Sequence, residues 1–186
     1  MAVTIDGTLG VSLVQDGVVT AADLSSTLDL SGKTVTLPAG VGGKVLQVQG
    51  ATSTTISSTS SNTFITGHSL SITPSSASSK IVVMGNGVIS HSTYQFGGRL
   101  RVARIVGGVT TSVLEGVRGF AIIGHDNYSS DAAPSNGFSF VDSPSTTSAC
   151  TYAIQFATAN STVYFNKFQY RNEGSISSLV LMEIAG

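Results

Sequence analysis

Charge is what this chain lacks most. Nine Lys and Arg and ten Asp and Glu make up 10% of its 186 residues, against about 25% in an ordinary globular domain. A formal net charge of -1 gives no electrostatic pull toward nucleic acid or an anionic membrane surface, so neither is expected as a partner. Tryptophan is absent, and Cys150 is the only cysteine. One thiol makes no intrachain disulfide and no cysteine-based zinc site, which leaves Cys150 as a buried, inert residue. No apolar run approaches the ~18 residues of a helical membrane span. Ser, Thr and Gly interrupt the first residues, so no signal-peptide core is expected near Met1. Long amphipathic helical periodicity is missing as well.

What fills the chain instead is hydroxyl and glycine: 29 Ser, 21 Thr and 21 Gly. Mean hydropathy is nevertheless positive, at +0.29. A surface with little charge and many small hydroxyl residues is expected to be covered largely by copies of the same chain.

The apolar positions recur with a period of two in short runs. Leu70 to Thr73 reads as a strand that must end at Pro74, which lacks a backbone donor. The serines through Ser79 favour a turn, and Lys80 opens IVVM, a run of high strand propensity continuing to Ile89. The same grammar returns in Gly137 to Val141, the Pro/Ser/Thr turn Asp142 to Ala149, and Cys150 to Ala159. Within these, Phe138 and Phe140 share one face, and so do Tyr152, Ile154 and Phe156. Gly98 to Val106 reads as a strand turned by Gly107-Gly108 into VTTSVLE. In Lys44 to Thr52, the alternation of Leu46 and Val48 with Gln47 and Gln49 places the aliphatic pair on the buried face. Val163 to Tyr170 and Leu179 to Ile184 supply the last strands. Eight to ten short strands with turns between them predict an all-β fold, a β-sandwich or jelly roll.

Pro38 to Gly43 breaks this pattern and marks a domain boundary. Residues 41–186 are expected to form the sandwich. Residues 1–40 carry short β-type runs around Val3, Ile5, Val11, Leu13 and Val18, punctuated by Asp6-Gly7 and Asp16-Gly17 turns. They hold too little apolar area to fold alone and are expected to lie extended against other chains.

The residues that carry chemistry are sparse. His68, His91 and His125 show no metal-ligand spacing, and no G-x-S-x-G elbow or phosphate loop is present. Asp126, Asp131 and Asp142 lie close in sequence but read as turn caps rather than a glycosidase pair. No enzyme activity and no cofactor are therefore expected; a polysaccharide-degrading enzyme is the remote alternative. Arg99 and Arg101 share one strand face and Arg104 takes the other, with Glu115, Glu173 or Glu183 as expected partners. The long polar stretch Gly124 to Asn136 is the natural recognition loop, with His125, Asp126, Asn127 and Tyr128 at its centre. Its GHDN run lacks the ordered oxygen ligands of a calcium loop.

Four stretches, VTIDGTLGVSLVQDGVVTAADL, SLSITPSSASSKIVVM, FSFVDSPSTTSACTYAIQF and SLVLMEIAG, together resemble short tail-fibre-type proteins of bacteriophages, particularly those of marine cyanobacteria. The resemblance implies a virion protein, assembled in the host cytoplasm, with a C-terminal jelly-roll head similar to C1q/TNF-like heads. It implies a homotrimer joined to other virion proteins through residues 1–40, and recognition of a host-surface glycan. No repetitive shaft separates residues 1–40 from the head, which departs from a long host-reaching fibre. A capsid decoration or head-fibre protein on the shell is the alternative. The binding loops of such heads vary, so no receptor-contact residue carries over.

Overall fold

The computed structural model describes residues 45–91, 97–115, 121–123 (backbone only), 135–159, 161–168 and 173–186. The boundary expected at residue 40 lies outside them. The described residues contain no helix and eleven strands: β1 (Val45–Ser53), β2 (Ser57–Thr59), β3 (Ile65–Ile72), β4 (Lys80–His91), β5 (Gly98–Val106), β6 (Val109–Leu114), β7 (Ala121–Ile123), β8 (Ser135–Asp142), β9 (Cys150–Thr158), β10 (Val163–Phe165) and β11 (Ser177–Ile184).

The pairing is nested. β1 pairs with β11, β3 with β9, β4 with β8 and β5 with β6, all antiparallel. Outer strand thus meets outer strand and inner meets inner, as in a long hairpin wrapped around a core. Two sheets result. The first runs β1-β11-β4-β8, with β10 and β2 extending it beyond β11 and β1. The second runs β3-β9-β5, with β6 and β7 sharing the last edge. This is a jelly-roll sandwich, in agreement with the period-two pattern of the sequence.

Between the sheets lie Ile81, Val83, Ile89, Val163, Phe165, Leu179 and Leu181 of the first and Ile72, Leu100, Val102, Tyr152, Ile154 and Phe156 of the second, all at most 2% exposed. Phe156 and Phe165 stack across the gap, with ring centroids 5.4 Å apart. Phe138 and Phe140 flank this core together, their centroids 6.4 Å apart. The shared faces expected for Tyr152, Ile154 and Phe156, and for the two phenylalanines, are both observed.

The two Pro/Ser turns stand side by side at one end, because Ile72 pairs with Cys150 and Ile81 with Asp142. Each carries the chain from one sheet to the other and buries its proline, Pro74 or Pro144. The β5–β6 hairpin closes at the same end through Gly107 and Gly108, whose φ of +55° and +82° suits glycine.

Two expectations are overturned. In β1 the period is right but the phase is inverted. Gln47 and Gln49 pair with Glu183 and Leu181, whose side chains face the core, so Leu46 and Val48 point outward and are 48% and 53% exposed. A buried carboxylate at Glu183 needs a donor, and Gln47 supplies it. The run expected from Val163 to Tyr170 is regular only to Phe165; Asn166 leaves the strand with φ of +56°.

Candidate functional site

The outer face of the first sheet is apolar. In β11, Leu179, Leu181 and Glu183 are buried, so Ser178, Val180, Met182 and Ile184 alternate outward. Register extends each of these across the sheet. One row reads Val48, Met182, Val82 and Val141; the next reads Gly50, Val180, Met84 and Ser139. Val141 is 56% exposed, and Val45 and Leu46 lie half exposed at the irregularity opposite Ile184. At 4.8 Å between strands and 3.4 Å per residue, these two rows across four strands span roughly 19 Å by 10 Å, or about 200 Å². The largest apolar patch on a soluble protein is often functional.

A third row, Thr52, Ser178, Asn86 and Gly137, bounds the patch with polar groups. Asn86 Oδ1 accepts from Ser178 N at 3.0 Å and from its hydroxyl at 2.6 Å, while Nδ2 donates to Ser135 Oγ and Ile176 O, both at 3.1 Å. Between the second and third rows lies an open depression of about 420 Å³, lined by Met84, Asn86, Phe138 and Val180 among others. Gly137, whose surroundings are otherwise open, leaves this space because it brings no side chain to it.

The outer face of the second sheet is polar. Thr66, Ser69 and Ser71 of β3 pair with Gln155, Ala153 and Thr151 of β9, on the side opposite the partly buried Leu70 and the buried Tyr152. Ser71 and Thr151 share a hydroxyl hydrogen bond of 2.7 Å. Arg99 and Arg101 project on this face, with their Cζ atoms 5.1 and 4.1 Å from the centre of the Phe64 ring.

Two polar clusters close the end that holds the Pro/Ser turns. Glu183 is fully buried and accepts from Gln47 Nε2 at 2.6 Å and from Ser75 N and Oγ, each at 2.7 Å. Burial alone raises a carboxyl pKa, but these donors outweigh it and hold Glu183 at about 2. In the second cluster, Asp142 Oδ2 of the first sheet accepts from Arg104 Nη1 at 2.6 Å and from Tyr152 Oη at 2.7 Å, both of the second sheet. Burial and then the bond to Asp142 push the Tyr152 phenol far above its ordinary value. Burial works against the Arg104 charge, yet the bond to Asp142 and its negative charge leave that pKa raised. Burial likewise raises the Cys150 thiol, which donates weakly to Ser148 O at 3.4 Å. Cys150 is the buried thiol expected from the sequence.

Of the expected ion pairs, Arg101 meets Glu115 at 3.4 Å; Arg104 instead meets Asp142, which was expected only as a turn cap. Glu183 is instead held by neutral donors. His125, Asp126, Asn127 and Tyr128, and Val3, Ile5, Val11, Leu13 and Val18, lie outside the described residues. Sequence reasoning gave no role to His68 and His91. Both are buried: His68 Nδ1 meets Ser177 Oγ at 3.2 Å, and His91 Nε2 accepts from Gly98 N at 3.0 Å. Burial lowers the His68 pKa, which favours the neutral ring. Among the described residues no group of three or more His, Cys, Asp or Glu could hold a metal ion.

No protein-family model matches the chain, and no curated protein matches it. Among solved structures it is similar to the VP2 protein of infectious bursal disease virus. Derived T=1 particles of a D431N mutant VP2 give 14% identity and a TM-score of 0.39, over 88% of this chain and 45% of the other. The Gt strain of the virus gives 13% and 0.41, over 82% and 42%. A VP2 subviral particle gives 12% and 0.41, over 87% and 50%. The chain spans half or less of the length of these proteins.

Proposed function

We propose that this chain is a non-enzymatic virion structural protein that self-associates through the outer face of the first sheet. The observation that carries this reading is the uncharged apolar surface of Val48, Val82, Val141, Val180 and Met182. Its occupant is a second copy of the chain. A nucleic acid or a strongly charged protein would need complementary charge, and none lies within the two apolar rows. An uncharged face of small aliphatic and Met side chains is complementary to itself, and repetition around an axis covers it in every copy. We place three copies around that axis, in keeping with the resemblance of the sequence to tail-fibre-type heads. In this reading residues 1–40 join the trimer to other virion proteins, and the segment of His125 to Tyr128 meets a host-surface glycan. A decoration protein seated on the capsid shell uses the same trimer.

Mass measured by light scattering tests the assembly. A species of three times 19.0 kDa is expected, and Val180→Lys combined with Met84→Lys should give a folded monomer. A wild-type monomer at working concentrations sinks self-association; a dimer sinks the three-fold arrangement alone. Labelling purified particles with an antibody against the chain then separates tail from shell.

A further inference from the structure

We propose that the Arg99, Arg101 and Phe64 cluster, on the outer face of the second sheet, binds an oxyanion, a carboxylate or a sulfate. The inference is independent of the assembly reading. In a chain with only nine Lys and Arg, two guanidinium groups stand over a single ring, 4.1 and 5.1 Å from its centre. Among the described residues one carboxylate reaches them: Glu115, 3.4 Å from Arg101 Nη1, with both side chains partly exposed. No acid pairs with Arg99 among those residues. The cluster therefore carries surplus positive charge that an anion would neutralise.

The donors are unevenly satisfied. Arg101 is spoken for, because its Nε donates to Gln155 Oε1 at 2.8 Å and Gln155 Nε2 in turn donates to Thr66 Oγ1 at 3.3 Å. Arg99 donates from Nη2 to Asn62 O at 3.0 Å and to Asn62 Oδ1, but its Nε is buried and finds no acceptor. Buried donors without acceptors are rare in folded proteins. Because Asn62 turns its Oδ1 to Arg99, its exposed amide NH₂ points elsewhere and is a further donor at the cluster.

These groups are also held in place before any ligand arrives. The Phe64 ring packs under both guanidiniums, and backbone pairing fixes Arg99 opposite Ala157 and Arg101 opposite Gln155. A planar guanidinium fork held in this way matches the oxygens of a carboxylate or sulfate and loses little side-chain freedom on binding. An isolated ammonium or a neutral sugar would not use these donors as well.

The test is a titration of the full chain at constant ionic strength with sodium sulfate, sodium glucuronate and glucose, following amide shifts of Asn62, Phe64, Arg99 and Gln155. Saturable shifts with sulfate and glucuronate and none with glucose are expected. Arg99→Gln should weaken binding about tenfold or more. Lys80→Gln, which removes the same charge on the first sheet, should leave it unchanged. Equal binding of the two anions identifies a site for the oxyanion alone, and tighter glucuronate binding identifies one for a carboxylated sugar. Should Arg99→Gln fail to fold, Asn62→Ala reads the same site, with weaker binding expected. Absence of saturation with either anion, or affinities untouched by the substitution that folds, overturns the proposal.

Discussion

The two sheets of this sandwich share strand geometry and a core, yet they turn opposite chemistries outward. Across the first sheet the outward rows read Val48, Met182, Val82, Val141 and Gly50, Val180, Met84, Ser139. Across the second they hold Thr66, Ser69, Ser71, Thr151, Gln155, Arg99 and Arg101. Both sets alternate with buried residues, so hydrophobic periodicity alone does not distinguish them. The difference lies in the positions that a monomer in water would leave wet. A strand that is apolar at those positions too is built for contact on both sides, and β11, with Val180, Met182 and Ile184 outward, is such a strand. Under the proposed self-association, one face goes to the protein's own copies and the other to solvent and what solvent carries.

Adjacent residues of β11 give the sharpest way to break that contrast. Leu181→Asp places a charge in the fully buried core and should abolish folding, at a cost above about 5 kcal/mol. Met182→Asp, one position along and facing outward, should fold normally and lose only association. Soluble yield, thermal unfolding and mass distinguish the two, and equal behaviour would erase the distinction between the inner and outer sides of the strand.

Smaller effects are expected where the sheets are tied together. Tyr152→Phe removes a donor from Asp142, which still holds Arg104. A loss of about 1–2 kcal/mol in chemical denaturation is expected, with mass unchanged. Glu183 gives a pH-dependent counterpart. Its pKa falls from 4.5 to about 2 on folding, so its contribution is complete above pH 4.5 and lost as the pH falls toward 2. Glu183→Gln should flatten the stability profile over that window; an unchanged profile would show that the depressed carboxyl contributes nothing there. The smallest effect belongs to the polar outer face. Ser71→Ala breaks an exposed hydroxyl pair and should shift stability by no more than about 0.5 kcal/mol. A drop in mass in that variant would mean that the second sheet also carries an interface.

Much of this architecture is legible in the sequence because turn chemistry is local. Pro74 and Pro144 stop strands wherever they stand, and Gly107-Gly108 makes a hairpin without help from the rest of the fold. The aromatic positions of β9 are equally plain, since a period-two run of Tyr152, Ile154 and Phe156 has one way to face a core. Phase in β1 is not legible, because it depends on Glu183 across the strand pair, and Gln47 is ordinarily a surface residue. The apolar face is legible in part: Val180, Met182 and Ile184 are as apolar as Leu179 and Leu181, which marks Leu179 to Ile184 as a strand apolar on both sides. What hid its extent is register, which alone lines up Val48, Met182, Val82 and Val141. Arg104 and Asp142 meet only because two turns carry their strands to opposite sheets, and no spacing in the sequence announces that.

Nested pairing also sets an order of events as the chain folds. Gln47 waits for Glu183, 136 residues further on, while β5 and β6 need only the two-glycine turn between them. Local hairpins of this kind close quickly, and closure of distant partners is slow. β11 lies between β1 and β4, so neither of its neighbours can complete the first sheet before it inserts. Until then the core side of that sheet and its apolar outer face are both open to water and to other unfinished chains. The same strand completes the interior and finishes the outer surface, so under the proposed self-association a copy ready to associate is one that has already closed.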